Sequence, residues 1–170
     1  EDDNFGCSVA VSGDYAVVGA YEEDGNGIDG ESDNSASSAG AAYIFKRSGA
    51  VWSQKAYLKA SNADPFDYFG SSVAISGDYA VVGAYAEAGN GSGESNNSAN
   101  AAGAAYVFAR NGAVWSQQAY LKASNAAAGD LFGHSVAISG DYAVVGAHSE
   151  DSNGSSESNN SANAAGAAYV

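Results

Sequence analysis

Acidic and amide side chains recur at matching places in three Ser- and Asn-rich segments, residues 21–39, 85–102 and 148–165. Calcium binds carboxylate and carbonyl oxygens, so these segments are candidate calcium loops and calcium is the one cofactor the sequence suggests. A solvated, flexible acidic loop without any ligand explains the same residues, and both interpretations stay open. The candidate ligands are Glu23, Asp24, Asn26, Asp29, Glu31, Glu87, Asn90, Glu94, Glu150, Asp151, Asn153 and Glu157.

The same segments contain Asn-x-Ser sequons, which are acceptors for N-glycosylation in secreted proteins. They begin at Asn90, Asn96, Asn153 and Asn159. Asn, Gly and Ser are also ordinary loop residues, so the sequons indicate surface loops even where no glycan is attached.

Residues with catalytic chemistry do not form a recognisable group. The residues that break the repeating pattern described below are Cys7, Pro65, Phe66, His134 and His148. Their spacing gives no nucleophile beside a base, no His/Cys metal motif and no phosphate-binding loop. We therefore predict a protein without enzymatic activity.

The charge balance excludes one class of partner. The net charge is −14, with 20 acidic and 6 basic residues, whereas nucleic-acid backbones are bound through Lys and Arg. No apolar run approaches the roughly 18 residues of a membrane span, so membrane insertion is not expected. High acidity suits a soluble protein in a cation-rich setting outside the cell.

The elements that position the loops repeat with a period of about 63 residues. The phrase FGxSVAxSGDYAVVGA begins at Phe5, Phe69 and Phe132, and only its third letter and one aliphatic residue change. The period defines repeats at residues 5–68, 69–131 and 132–170, the last of them truncated. An Asp stands two residues before each Phe-Gly, at Asp3, Asp67 and Asp130, where it is expected to cap a turn.

Each repeat is predicted to form four antiparallel strands, which in the second repeat are residues 72–76, 79–84, 104–109 and 114–122. Tight turns are expected at Gly77-Asp78 and, as a type I′ turn, at Asn111-Gly112. The second strand is apolar on both faces, which indicates burial between two neighbouring sheets. We therefore predict an all-β fold of β-propeller blades, with a β-solenoid or linear stack of sheets as the alternative. The loops should vary most between repeats.

Three segments in order, FGSSVAISGDYAVVGA, GAAYVF and WSQQAYLKAS, resemble the FG-GAP repeat in its bacterial variant. The resemblance covers essentially the whole chain and implies a propeller similar to that of integrin α-subunits. It also implies an extracellular or cell-surface location. Integrin-type repeats carry a calcium loop between their first two strands, but here that connection is only Ser-Gly-Asp-Tyr. The resemblance therefore does not transfer a calcium site.

These observations lead to a ranked set of functional expectations. The first is a non-enzymatic extracellular structural or adhesive repeat protein, part of a longer surface or fibre-forming array. The alternatives are a calcium-dependent, integrin-type ligand-binding propeller and a fragment of a propeller enzyme. The expected partners are further blades or other copies of the chain, which would cover the edge left open at Val170, and a surface protein or glycan ligand.

Overall fold

The structure, a computed structural model, describes residues 3–27, 30–154, 156 and 159–170. It consists of three antiparallel sheets, consistent with propeller blades. The first sheet contains β1 (Val9–Ser12), β2 (Tyr15–Ala20), β3 (Ala41–Ser48) and β4 (Val51–Leu58). The second contains β5 (Phe69–Ser76), β6 (Tyr79–Ala84), β7 (Ala104–Asn111) and β8 (Val114–Leu121). The third contains β9 (Phe132–Ser139), β10 (Tyr142–Ala147) and β11 (Ala167–Tyr169).

The predicted strands are confirmed, with small differences at their ends. In the second sheet β5 begins earlier, at Phe69, and β8 ends at Leu121. Neighbouring strands within each sheet run antiparallel, which excludes the parallel coils of a solenoid. The only helical element in the described ranges is a single 3₁₀ turn at Gly30–Ser32. Within those ranges, no helix has the length and apolarity to span a membrane.

The turn between β7 and β8 differs from the predicted type. Asn111 pairs with Val114, so the two central residues are Gly112 and Ala113 rather than Asn111 and Gly112. Gly112 has a φ of 63°, and Ala113 is not among the residues of positive φ. Positive φ at the first central position alone is the pattern of a type II′ turn, which requires Gly only there.

The core lies between the sheets, because both faces of the second sheet are covered. Ala80 and Val82 of β6 pack towards the first sheet, whereas Val81 packs towards the third. The facing side chains are mostly Ala, Val and Gly, which let the sheets approach closely. β8 is more exposed, as predicted for an outer strand, although Trp115 is buried.

Candidate functional site

The loop after the second strand of each repeat contains a buried glutamate. Glu23, Glu87 and Glu150 are 4%, 1% and 1% exposed, respectively. A carboxylate in this position must have partners, since burying an unpaired charge is strongly unfavourable. The interpretation of the loop as a solvated acidic segment therefore does not hold for these three residues.

Glu87 shows how the charge is accommodated. Its carboxylate accepts hydrogen bonds from the backbone N–H of Gly89 at 2.9 Å and from the Tyr120 hydroxyl at 3.1 Å. The Lys122 ammonium lies 2.9 Å from Oε2, and the Asn62 side-chain amide donates to Oε1 at 3.0 Å. Four donors thus surround the two oxygens, which is what a buried carboxylate needs.

The cation of this pair is also buried. The Lys122 side chain is 5% exposed, and burial lowers the pKa of its ammonium, although the neighbouring Glu87 acts in the opposite direction. Any calcium ion at Glu87 would have to displace this ammonium. The arrangement has the features of an internal structural ion pair.

The first repeat reproduces the ion pair, and the third repeat reproduces the turn that the glutamate closes. Glu23 accepts the Gly25 N–H at 3.1 Å and faces Lys59 Nζ at 2.9 Å. Glu150 accepts the Ser152 N–H at 2.9 Å. The glutamate therefore closes the same short turn in all three loops.

An asparagine carries this network across each boundary between repeats. Asn62, which follows β4, donates to the buried glutamate of the second repeat, and its Oδ1 accepts the Tyr106 hydroxyl at 2.7 Å. Asn125, which follows β8, donates to Glu150 at 2.6 Å and accepts the Tyr169 hydroxyl at 2.7 Å. Glu87 and Glu150 are thus linked to their own repeat and, through asparagine, to the preceding one.

The ends of the three long loops have the same hydrogen-bonded backbone, and the expectation that the loops vary most between repeats stays a prediction. A glycine N–H donates to the carbonyl oxygen of the buried glutamate at 2.8 Å in all three repeats. An alanine N–H reaches the carbonyl of the residue after that glutamate at 2.6, 2.8 and 3.0 Å. The buried glutamate and these backbone hydrogen bonds thus recur together at the ends of the three loops, although the segments are rich in Gly, Ser and Asn.

Among the residues that the structure describes, the remaining predicted ligands make separate contacts within their loops. Asp24 and Asp151 accept backbone N–H groups from later in their own loops, at 2.8 and 2.6 Å. Asn90 Oδ1 accepts the Ser92 N–H at 2.9 Å, as in an Asx turn. The other contacts are Asn26 N–H to Asp33, Gln54 to Glu31, Ser61 to Glu94, and Asn153 to Ser161.

Asp29 and Glu157 lie outside the described residues. In the part of the chain that the structure describes, no group of three or more His, Cys, Asp or Glu side chains is placed to hold a metal. Calcium binding in these loops stays a prediction. So does glycosylation, for which Asn90, Asn153 and Asn159 are exposed and Asn96 is half-buried.

Two of the three aspartates before the Phe-Gly pairs, Asp67 and Asp130, act as turn caps, with a geometry that differs from the expected one. Asp67 accepts the N–H of Asp64 at 3.0 Å, and Asp130 accepts that of Ala127 at 2.7 Å, each three residues earlier in the chain. Both carboxylates are buried. Burial raises the pKa of Asp67 to about 7, and the nearby charge of Glu87 contributes to the rise.

Consecutive sheets meet along what we call the seam, where the Phe-Gly backbone of one repeat contacts the preceding sheet. The Phe69 N–H donates to the Ala39 carbonyl at 3.0 Å, and the Phe132 N–H donates to the Ala102 carbonyl at 2.9 Å. Both phenyl rings are buried at the seam. Equivalent backbone atoms therefore join the first repeat to the second and the second repeat to the third.

Glycine is required at the seam because backbones touch there. A Cβ added to Gly83 would collide with the carbonyl oxygen of Gly133 in the next sheet, and one added to Gly19 would collide with that of Gly70. The Ser72 hydroxyl donates to the Gly133 carbonyl oxygen at 2.7 Å. At the seam between the first two sheets, the Ser8 hydroxyl donates to the Gly70 carbonyl oxygen at the same distance. The Gly of Val-Gly-Ala and the Gly of Phe-Gly are thus two sides of one contact.

The two outer faces of the array display seam groups without a neighbouring sheet. Phe5 is 58% exposed, whereas Phe69 at the same position is 0% exposed. Val11 on the first sheet is 69% exposed and Val144 on the third is 38% exposed. We call the surface around Phe5 and Val11 the leading face, and the surface around Val144 and Gly146 the trailing face.

The structure brings together two residues that sequence analysis treated as scattered. The imidazole rings of His134 and His148 stack with centroids 4.9 Å apart and an interplanar angle of 23°. The other three residues that break the pattern do not join them in any contact between side chains that the structure records. A signal was available: both histidines replace the residues found at matching positions in the other repeats.

Comparison with known proteins gives one family. A model described as FG-GAP repeat matches residues 1–45, 52–108 and 115–170. A search of curated proteins finds no match to the chain.

Proposed function

The chain belongs to the FG-GAP repeat family, and we propose that it is a non-enzymatic structural repeat protein of the extracellular space or cell surface. Repeats of this family are generally structural and are typical of extracellular and surface proteins. On this proposal the repeats serve to join one another, and an adhesive role would be carried by the loops and outer faces of the assembled array.

The observation that carries the proposal is the repeated seam. The same hydrogen bonds, the same glycine contacts and the same buried phenylalanine join the first sheet to the second and the second to the third. The seam forms twice within the chain, and the leading and trailing faces present the two halves of one more such seam. We infer that another repeat of this kind covers each face, either from the same chain or from another copy.

The carboxylate network favours this structural role over calcium-dependent ligand binding. The buried glutamates of the first two repeats already have lysine partners at 2.9 Å. Their charge therefore stabilises the loop without an added cation. Among the described residues, the carboxylates of Asp24, Glu94 and Asp151 also accept donors of the protein itself.

The proposal is tested by the association of the 170-residue chain in solution. We expect light scattering to show head-to-tail association that increases with concentration. Val11→Lys should disable the leading face and Val144→Lys the trailing face, because each places an ammonium in an apolar contact. Val51→Lys, at an exposed valine remote from the seam in the β3–β4 hairpin, is the matched control.

Mixing the two face variants gives the sharper result. Each retains one intact face, so the mixture should form heterodimers and stop there, whereas each variant alone should stay monomeric. A parent chain that remains a monomer at every concentration would overturn the assembly proposal. Association that Val11→Lys and Val144→Lys leave unchanged would also overturn it.

A further inference from the structure

The two histidines of the chain both lie in the third repeat. His134 stands where the other repeats have Cys7 and Ser71, and His148 where they have Tyr21 and Tyr85. Two independent positions of a nearly uniform repeat thus changed to the same residue. The structure shows these two positions in contact, with the ring centroids 4.9 Å apart.

The backbone explains the contact. β9 and β10 pair Ser135 with Gly146 and then Phe132 with Ala147, so that Gly133 and His134 form a bulge between the two pairs. His148 directly follows the last residue of β10. The bulge therefore holds His134 beside the end of the neighbouring strand, and both side chains are exposed to solvent.

The ring nitrogens are available for a ligand. Nδ1 of His148 lies 2.9 Å from the Ser149 hydroxyl. When Nδ1 donates its proton to that hydroxyl, Nε2 keeps its lone pair, which is how a hydrogen bond to one imidazole nitrogen prepares the other for a metal. The net charge of −14 raises the local concentration of cations around such a site.

We propose that His134 and His148 form a two-imidazole surface site for a divalent transition metal ion, with water completing the coordination. Imidazole nitrogens bind zinc at about 2.0–2.1 Å, so two of them on one tetrahedral ion lie about 3.3 Å apart. The rings are stacked with planes 23° apart, so their in-plane lone pairs do not converge, and binding one ion requires at least one ring to turn about its Cβ–Cγ bond. Imidazole ligands suit zinc, nickel and copper, and the ordinary affinity order places copper first.

The competing explanation is packing alone. Tyr21, Tyr68, Tyr85 and His134 form a row of rings with neighbouring centroids 5.3–5.9 Å apart, and His148 extends the row. A tyrosine would extend it equally well, as Tyr85 does in the second repeat. Packing therefore explains an aromatic residue at position 148 but does not explain two histidines.

Zinc titration by calorimetry on the Cys7→Ser chain tests the proposal, because that background removes the thiol as a second zinc ligand. His134→Ser and His148→Tyr install the second repeat's own residues, so both variants should melt like the parent. We expect the Cys7→Ser chain to bind one zinc ion. Each histidine variant in that background should bind zinc at least about tenfold more weakly, a loss of roughly 1.4 kcal/mol in binding free energy. Cys7→His with Tyr21→His should create a second site in the first repeat.

Spectroscopy gives an independent readout. The chain has two imidazoles, so substoichiometric Ni²⁺ should broaden the ring C–H signals of both residues together. Absence of zinc binding by the parent, or unchanged binding in both single variants, would overturn the proposal. A Cys7→His/Tyr21→His chain that gains no ion would count against the geometric argument.

Discussion

Replacing Glu87 by Ala should be among the most damaging single changes in the chain. Glu87 is 1% exposed, and the Lys122 side chain beside it is 5% exposed. The substitution leaves that ammonium buried without its carboxylate. It also removes the acceptor used by Gly89, Tyr120 and Asn62.

The magnitude follows from the burial of both charges. Removing one partner of a buried ion pair costs about 3–5 kcal/mol. For a chain of this size, 1 kcal/mol lowers Tm by about 2–4 °C, so the midpoint should fall by roughly 6–20 °C. Lys122→Met alone should also destabilise the fold, because it leaves the carboxylate buried and unpaired. The Glu87→Ala/Lys122→Met double variant should lose much less stability than the sum of the two single losses, since neither buried charge then remains.

Thermal and urea denaturation followed by circular dichroism measure these effects. Glu94→Ala is the matched control, since Glu94 lies in the same loop, is half-buried and contacts the Ser61 hydroxyl at 2.5 Å. Its loss should cost no more than about 1 kcal/mol. If Glu87→Ala lowers the midpoint no further than Glu94→Ala does, the interpretation of the buried pair is refuted.

Three further predictions concern pH, the seam and calcium. Burial raises the pKa of Asp67 to about 7. The protonated carboxyl therefore stabilises the fold fully below about pH 4, and this stabilisation is lost as pH rises through 7. Asp67→Asn should raise Tm relative to the parent at pH 8 and lose that advantage at pH 4. Gly83→Ala should destabilise the chain strongly, whereas Gly146→Ala at the same position of the third repeat should be far milder, because there the added Cβ meets only a serine side chain closely. Excess calcium against chelator should leave Tm unchanged; a rise that the Asn90→Ala/Glu94→Ala chain lacks would instead establish a loop site.

The strands could be predicted from sequence because their signals are local. Alternating or two-sided apolar patterns define the faces, and Gly-Asp pairs locate the turns. The blade architecture then followed from a period of about 63 residues with four strands in it. The type of the β7–β8 turn was missed, since a shift of one residue in register moves Asn111 from the turn into the strand pair.

The loop network could not be predicted from local pattern. Asn62 and Lys122 lie 25 and 35 residues from Glu87 in sequence, on opposite sides of it. Strand pairing within the second sheet brings Lys122 to Glu87, and the stacking of the first sheet on the second adds Asn62. One signal was present, since the stretch LKASNA occurs identically at residues 58–63 and 121–126. The Lys and Asn of this stretch lie just after an outer strand in both repeats, and the structure shows that each of them contacts a buried glutamate.

The uniformity of the sixteen-residue phrase is explained by how many of its residues touch two repeats at once. Phenylalanine and the first glycine contact the preceding sheet, whereas serine and the last glycine contact the following one. A change at any of these positions would disturb a seam. The third letter of the phrase is less constrained, because Cys7 and His134 are exposed there and Ser71 is half-buried, although Cys7 Sγ still lies 3.5 Å from the Gly70 carbonyl oxygen. The position is therefore free to acquire a new chemical group without weakening the array, and it is the position where the third repeat places one of its two adjacent imidazoles.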